Sequence, residues 1–457
     1  MSNKQKGCKM LKKILIANRG EIAVRIIRAC KELNIRTVAI YSEADNHSLH
    51  KQLADEAICV GPSESGKSYL NIKNILEATA LTGADSIHPG FGFLSENSKF
   101  AKICEESNIK FIGPSYKVIE LMGNKSNAKE IMKSAGVPVI PGSEGSLASI
   151  SQAKQLSEKM GFPIMLKAAT GGGGKGIRLV NSIDELETSY NIVKQEAKVS
   201  FNDDEIYMEK FIENPRHVEI QVLADEHGNV IHLGERDCSI QRRNQKILEE
   251  SPSNILDEKL RKKMGEVTIK AVKASKYSNA GTIEFLIDKN KNFYFMEMNT
   301  RIQVEHPVTE MVTQTDIVKE QIRIASGEKL RYSQSDIKFR GHSIECRINA
   351  ENPDKNFIPC PGEIKDLNFP GGNGVRIDTA VYNGYKIPPV YDSMIAKLIV
   401  HGEDRLEAIE KMKRALEEFV IDGVDTNIDF LYKIMRNKKF INGEYDVSSE
   451  WRTEHRE

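Results

Sequence analysis

EFLIDKNKNFYFMEMNTRIQVE, residues 284–305, is the stretch on which the reading of the fold turns. From Phe293 onward it alternates like a strand, whose successive side chains point to opposite faces. One face would carry Met296, Met298, Ile302 and Val304, the other Glu297, Asn299, Arg301, Gln303 and Glu305. The DKNKN segment is hairpin-like and places Glu284 on a neighbouring strand. Burying such a polar row without partners is costly, so the pattern points to a charged site whose missing partner is a metal or an anionic substrate. Glu284 and Glu297 on adjacent strands repel unless a cation lies between them. Two carboxylates and the amide of Asn299 form an oxygen-rich set that suits Mg²⁺ or Mn²⁺ rather than zinc, with phosphate oxygens completing the shell. A hairpin with salt bridges across an exposed face is the alternative, but it does not explain why Arg301 and Glu305 continue the row.

Upstream, the run GGGGKG (171–176) follows the strand-like FPIMLKA and precedes IRLV. Successive glycines let backbone N–H groups converge on an anion. It is not a Walker A loop, because Gly176 stands where Ser or Thr would follow Lys175. A hairpin turn is the other reading, although Lys167 at the end of the preceding strand adds a phosphate-compatible charge. In EKFIENPRHVEIQVLAD (209–225), Glu209 and Lys210 end one strand and His217 opens the next; a lone histidine is commonly a structural hydrogen-bonder. ERDCSIQRRNQKILEE (235–250) sets Arg236, Arg242, Arg243 and Lys246 against Glu235, Asp237, Glu249 and Glu250. It reads equally well as a solvated, self-neutralising surface. Arg347 in ECRINAE sits in a strand-like alternation, where a surface ion pair is the usual explanation.

The N-terminal third has a different grain. KILIAN (13–18), a helix-spaced EIAVRIIRACKEL with Ile22, Ile26, Ile27 and Cys30 on one face, and TVAIY (37–41) make a β-α-β pattern. It predicts a parallel, doubly wound sheet, extended through DSIHPGFGFLSEN (85–97) and KFIGPS (110–115). The first turn has no GxGxxG, so no dinucleotide site is expected. Proline and glycine in GVPVIPGSEG (136–145) mark a boundary. Near the end, residues 403–421 form an amphipathic helix with Leu406, Ile409, Met412, Leu416 and Phe419 on one face.

At 457 residues the chain is expected to hold two to four domains. Lys+Arg and Asp+Glu both number 65, so the basic excess of a nucleic-acid binder is absent. No apolar run approaches the roughly 18 residues of a membrane-spanning helix. The seven scattered cysteines form no CxxC pair, which argues against a disulfide framework and for a reducing, cytoplasmic setting. Residues 1–9 read as a disordered extension, with Met10 a plausible start.

Taken together, AATGGGGKG, MEKFIENPRHVEIQ, QRRNQK and EMNTRIQVEHPVTEM resemble biotin carboxylase, the ATP-grasp component of the biotin-dependent carboxylases. The resemblance runs from KILIANRGEIAVRIIRACKEL to IDGVDTNIDF, nearly the whole chain. It implies a mixed α/β and α+β architecture: a Rossmann-like domain (10–112), a linker (113–138), a mobile glycine-loop lid (139–211), and ATP-grasp and C-terminal parts (212–457). By similarity, Lys125 and Lys167 contact ATP phosphates, Gly173 and Gly174 cover them, and Glu209, Lys210, Ile212 and His217 line the nucleotide pocket. Asn244 stands in that pocket where the family usually has His. Glu284, Glu297 and Asn299 would hold two Mg²⁺ or Mn²⁺ ions. Lys246, Arg301, Gln303, Val304 and Arg347 would surround bicarbonate, with Arg347 also facing biotin and Glu305 acting as general base, oriented by a neighbour such as Arg301.

The family further implies a homodimer. Too little chain follows residue 421 for a biotin carrier domain or a carboxyltransferase, so both are expected on other polypeptides, with biotin a carrier-bound substrate. Acetyl-CoA is the leading acceptor, which would place the chain in fatty acid synthesis through malonyl-CoA. A two-subunit pyruvate carboxylase or another acyl-CoA carboxylase is the alternative.

Overall fold

The structure, a computed structural model, describes residues 10–169, 176–449 and 451. Residues 1–9 and the glycines Gly173 and Gly174 lie outside the described residues.

The N-terminal unit is the parallel sheet that the β-α-β pattern predicts. Its strands are β1 (Lys13–Ile16), β2 (Arg36–Ser42), β3 (Glu56–Gly61), β4 (Ser86–His88) and β5 (Lys110–Phe111), in spatial order β3-β2-β1-β4-β5. The apolar run of β1 serves both faces. Ile14 and Ile16 pack with α1 (Gly20–Glu32), while Leu15 and Ala17 join Val38, Ile40 and Ile87 on the opposite side. Gly20 has φ +67°, which lets the chain turn sharply from strand into helix. The helix then buries Ile22, Ile26, Ile27 and Cys30, as their spacing requires. That same core takes in Leu223, Ile231 and Ile302, so α1 ties the first unit to the large sheet behind it.

A separate three-stranded antiparallel sheet consists of β6 (Ile164–Ala168), β7 (Ile177–Val180) and β8 (Ile206–Lys210), with β6 central. Two helices, Ile150–Met160 and Ile183–Phe201, cover it and supply its own small core around Ile164, Leu166, Leu186 and Met208.

The third layer is an antiparallel sheet of eight strands. It contains β9 (Arg216–Ala224), β10 (Val230–Arg242), β11 (Gln245–Ser251), β12 (Asn279–Ile287), β13 (Phe293–Asn299) and β14 (His342–Asn349), plus Val375–Thr379 and Met394–Gly402. The order is β13-β12-β9-β10-β11-β14, then 394–402 and 375–379. Residues 113–138, expected as a linker, instead contain two helices, Tyr116–Gly123 and Lys125–Ser134. Their Val118, Met122, Ala128 and Met132 pack under the β12–β13 hairpin against Phe293, Phe295 and Met298.

Two expectations about side-chain faces need correction. A bulge at Met296 of β13 shifts the pairing with β12, so that Glu284 opposes Glu297 but Phe285 opposes Phe295. Phe293, Phe295 and Met298 therefore face the core, and Met296 lines the cavity described below. β13 also ends at Asn299; residues 300–305 form bends and a turn that lead into the helix His306–Thr313. The polar row is thus half strand and half turn. In the helix Arg405–Glu418, Leu406 is 60% exposed and Ala408 takes its place among the buried residues.

Candidate active site

A cavity of about 790 Å³ lies between the small sheet, the large sheet and the loop after β4. Every residue that the resemblance assigns to the site, among the described residues, lines it. The small sheet contributes Lys167, Glu209 and Lys210; the large sheet contributes His217, Lys246, Glu284, Glu297, Asn299 and Arg347; the turn contributes Arg301, Gln303, Val304 and Glu305. Lys125, Ile212 and Asn244 complete the lining.

Around Lys167 and Glu209 the cations already hold carboxylates. Lys167 Nζ lies 2.6 Å from Glu209 Oε2, and Lys129 Nζ lies 3.2 Å from Oε1. Burial disfavours the Glu209 charge, but Lys167 and Lys129 outweigh it and hold the carboxyl below its ordinary range. Lys125 Nζ pairs with Glu297 Oε2 at 2.9 Å, and this partner lifts its pKa against the opposing effect of burial. Lys210 Nζ donates to the Gly161 and Phe162 carbonyls at 3.0 and 3.2 Å. Asn244 is the second residue of a two-residue hairpin, with φ +51° at Arg243 and +63° at Asn244 between the paired Arg242 and Gln245. Asparagine is favoured where such a turn needs a left-handed backbone.

The centre of the site is Lys246. Its Nζ donates to Glu219 Oε2 (2.6 Å), Glu284 Oε1 (3.0 Å) and Glu305 Oε1 (2.8 Å). Glu219, absent from the sequence-level candidates, is fully buried and also receives Arg236 Nε at 2.6 Å. Its signal lay in the alternation of HVEIQ: His217, Glu219 and Gln221 share one face of β9. The segment 235–250, readable as a solvated surface, is largely interior: Glu235, Arg236, Asp237, Glu249 and Glu250 are each at most 2% exposed. Cys238 is buried, with Sγ 3.8 Å from Glu305 Oε1. Burial, then the neighbouring acids, push its thiol well up, which suits a structural thiol rather than a reactive one.

Glu305 stands 1% exposed at the head of the helix His306–Thr313. Burial would raise its pKa, yet Lys246, Arg347 and Arg236 hold it far below the ordinary carboxylate range. Arg347 Nη2 donates to Glu305 Oε2 at 3.0 Å and lies 2.5 Å from Glu249 Oε1. The groups that orient Glu305 are therefore Lys246 and Arg347. Arg301, expected in that role, instead donates to Glu96 (2.9 Å), Gln303 Oε1 (2.7 Å) and Asn299 Oδ1 (3.0 Å).

Glu284 is where a cation's work is most visible. Its Oε1 accepts from Lys246, Asn299 Nδ2 (2.8 Å) and Gln303 Nε2 (3.0 Å), and its Oε2 lies 2.8 Å from His217 Nε2. Together Lys246 and His217 outweigh burial and draw its pKa well down. Glu284 and Glu297 pair directly across the hairpin, with Asn299 two residues on. This oxygen set fits a hard divalent ion once Lys125 yields Glu297. The ligand atoms of Glu219, Cys238 and Glu305 also lie within 4.8 Å of one another, but Lys246 already neutralises both carboxylates.

Known proteins match the chain along almost its full length. Residues 10–119 match the biotin carboxylase N-terminal domain, 124–333 the carbamoyl-phosphate synthase L chain ATP-binding domain, and 345–449 the biotin carboxylase C-terminal domain. The chain is 59% identical over 439 residues to biotin carboxylase 1 of Bacillus subtilis, covering 96% of this chain and 98% of that one. It is 54% identical to a pyruvate carboxylase subunit of Methanothermobacter thermautotrophicus, covering 95% and 88%. The biotin carboxylase domain dimer of Hydrogenobacter thermophilus 2-oxoglutarate carboxylase, solved with MgADP, ADP and bicarbonate, superposes with a TM-score of 0.93 at 53% identity, covering 96% and 97%. With the three domains in order and such identity along almost its full length, the chain belongs to the biotin carboxylase family of ATP-dependent ligases, built on an ATP-grasp fold.

Proposed function

We propose that the cavity carries out the ATP- and bicarbonate-dependent carboxylation of biotin, with each residue acting as follows. Lys125, Lys167, Glu209, Lys210, Ile212, His217 and Asn244 bind the nucleotide. Gly173 and Gly174 cover its phosphates as the lid, residues 139–211, closes. Glu284, Glu297 and Asn299 hold two Mg²⁺ or Mn²⁺ ions, which neutralise phosphate charge when bound. Lys246, Arg301, Gln303, Val304 and Arg347 bind bicarbonate.

Glu305 takes the bicarbonate proton as general base. A bicarbonate oxygen then attacks the γ-phosphorus of ATP, the bond to the β-phosphate oxygen breaks, and ADP and carboxyphosphate form. Lys167 and Lys125 offset the charge that develops on the transferred group. Carboxyphosphate splits into CO₂ and phosphate. The phosphate takes the N1′ proton of biotin, and N1′ attacks CO₂ while Arg347 stabilises the negative ureido oxygen. Lid closure keeps water from the intermediate.

The observation that carries this reading is the Lys246–Glu305–Arg347 contact chain. It holds one carboxylate ionised and buried between two cations, beside a carboxylate pair suited to a divalent ion. Relatives named for a biotin carboxylase and for a carboxylase subunit support a separate biotinylated carrier and separate carboxyltransferase subunits as partners. The dimeric relative supports a homodimer. Among the described residues no helix is long and apolar enough to cross a membrane, in keeping with a cytoplasmic place. Acetyl-CoA, and thus fatty acid synthesis, is the first acceptor to test. The 54% identity to a pyruvate carboxylase subunit keeps pyruvate as the second.

The experiment is ATP hydrolysis by the purified chain, expected to require bicarbonate and to rise with free biotin. Turnover indifferent to both would sink the proposal.

A further inference from the structure

We propose that Glu96 is a positioning residue for Arg301, a carboxylate from the N-terminal unit that fixes the guanidinium at the bicarbonate end of the site. The inference rests on the reading of Arg301 given above. Glu96 Oε2 accepts from Arg301 Nε at 2.9 Å. Glu96 Oε1 accepts from the Thr300 backbone N–H at 3.0 Å and its hydroxyl at 3.2 Å. One side chain thus grips both the backbone where β13 ends and the arginine that follows it. The guanidinium is a rigid fork of five N–H donors. Nη1 of Arg301 is committed to Ile302 O and Gln303 Oε1, and Nη2 to Asn299 Oδ1. Those three acceptors sit on the same stretch of chain as Arg301 and move with it. Glu96 comes from another unit of the fold, so it anchors the fork to a fixed frame.

The loop that delivers Glu96 is built to hold still. Asn18, just after β1, donates to the Pro89 and Phe91 carbonyls at 2.7 Å each. Gly90 has φ +63°, and a Cβ there would meet Asn18 Nδ2 at 2.8 Å, so only glycine fits. Phe93 is kept at φ +43°, a sparsely populated setting for a bulky residue, where it stacks on Tyr69 with centroids 5.0 Å apart. Leu94 is buried, and Asn97 caps the helix Ser98–Glu106 through the Phe100 N–H at 2.8 Å. Such over-determined backbone is found where a side chain must be aimed. The motif HPGFGFLSEN, otherwise only a tight loop of the first sheet, gains a function in this way. Glu96 itself is 40% exposed, so its replacement spares the core.

The test compares Glu96→Ala, Glu96→Gln and Arg301→Ala in bicarbonate-dependent ATP hydrolysis, with thermal melting alongside. Glu96→Ala is expected to raise the KM for bicarbonate by about 10- to 100-fold, the size of one charge-assisted hydrogen bond, with the KM for ATP and the melting midpoint unchanged. Glu96→Gln, which keeps one oxygen for Thr300, should lie between. Adding Glu96→Ala to Arg301→Ala should cost nothing more. Arg301→Ala raising the bicarbonate KM while Glu96→Ala leaves it at the wild-type value would overturn the proposal and spare the reading of Arg301. A fall in kcat with a lowered melting midpoint and no change in KM would overturn it as a merely structural role. An unchanged bicarbonate KM in Arg301→Ala would overturn the reading of Arg301, and the proposal with it.

Discussion

Lys246 Nζ donates to Glu305 Oε1 across 2.8 Å, and the same ammonium also binds Glu219 and Glu284. One largely buried cation therefore serves three carboxylates. Such a cluster holds only while the cation stays charged, and its acidic neighbours push the Lys246 pKa well above the ordinary value despite burial. The arrangement keeps Glu305 in its basic form while leaving it a poor proton holder.

Glu305→Gln keeps the shape of the site and removes the proposed base. Bicarbonate-dependent turnover is expected to fall by about 10²- to 10⁴-fold, the range of general-base contributions, while ATP binding measured by calorimetry stays intact. Full turnover in this variant would reject Glu305 as the base.

Lys246→Gln acts on the same proton from the other side. Without the ammonium, Glu219 and Glu284 repel the Glu305 anion, so the pKa of Glu305 rises. Because the ionised form is the active one, activity at low pH is lost first. The acid limb of kcat/KM against pH should move to higher pH, and a limb that stays in place would show that Lys246 does not hold the base ionised.

Glu249 behaves in the opposite sense to Glu305. Its burial raises the pKa to about 7 against the pull of Arg347, with Glu305 adding repulsion. A carboxyl whose folded pKa exceeds its unfolded value, about 4.3, contributes stability that is full below that value and is lost as pH climbs toward 7. The wild-type melting midpoint minus that of Glu249→Gln is therefore expected to shrink from pH 5 to pH 8. Glu305, with its depressed pKa, stays ionised across this range in both chains and adds no slope to the difference.

How much of this could be read from the chain depends on what sets each position. The β-α-β grain of residues 13–41 and the hairpin around DKNKN were legible, because both follow from local spacing that the structure repeats. The face of Met296 was not, since the bulge that turns it toward the cavity leaves no mark in composition, whereas Met298 does lie on the core face its alternation implied. The polar row was found by treating residues 301–305 as strand, though they are a turn. The row survives because the turn still aims Arg301, Gln303 and Glu305 into the cavity that Glu297 and Asn299 share. Glu219 and Glu96 were missed for another reason: each acts through a partner more than 25 positions away, Lys246 and Arg301 respectively. The charges of 235–250 looked solvated because charged residues usually are. Only the tertiary fold shows that Arg236 is wholly enclosed.

That enclosed arginine yields the sharpest stability test. Arg236 donates to Glu219 Oε1 (2.6 Å), Gln221 Oε1 (2.8 Å), Thr309 Oγ1 (2.9 Å) and Thr282 Oγ1 (3.1 Å), joining β9, β10, β12 and the helix that begins at His306. Removing Arg236 leaves Glu219 with Lys246 as its remaining cation and strands the acceptors of Gln221, Thr282 and Thr309, a loss approaching the roughly 3–5 kcal/mol of a broken buried pair. Arg236→Met should therefore lower the denaturant midpoint sharply, even though methionine fills much of the space. Adding Glu219→Gln removes the half-compensated charge, so the double variant is expected to recover part of the loss. If the double variant is less stable than Arg236→Met alone, the hydrogen bonds of Glu219 to Lys246 outweigh the charge it would leave behind, and the cost assigned to the half-compensated carboxylate is wrong.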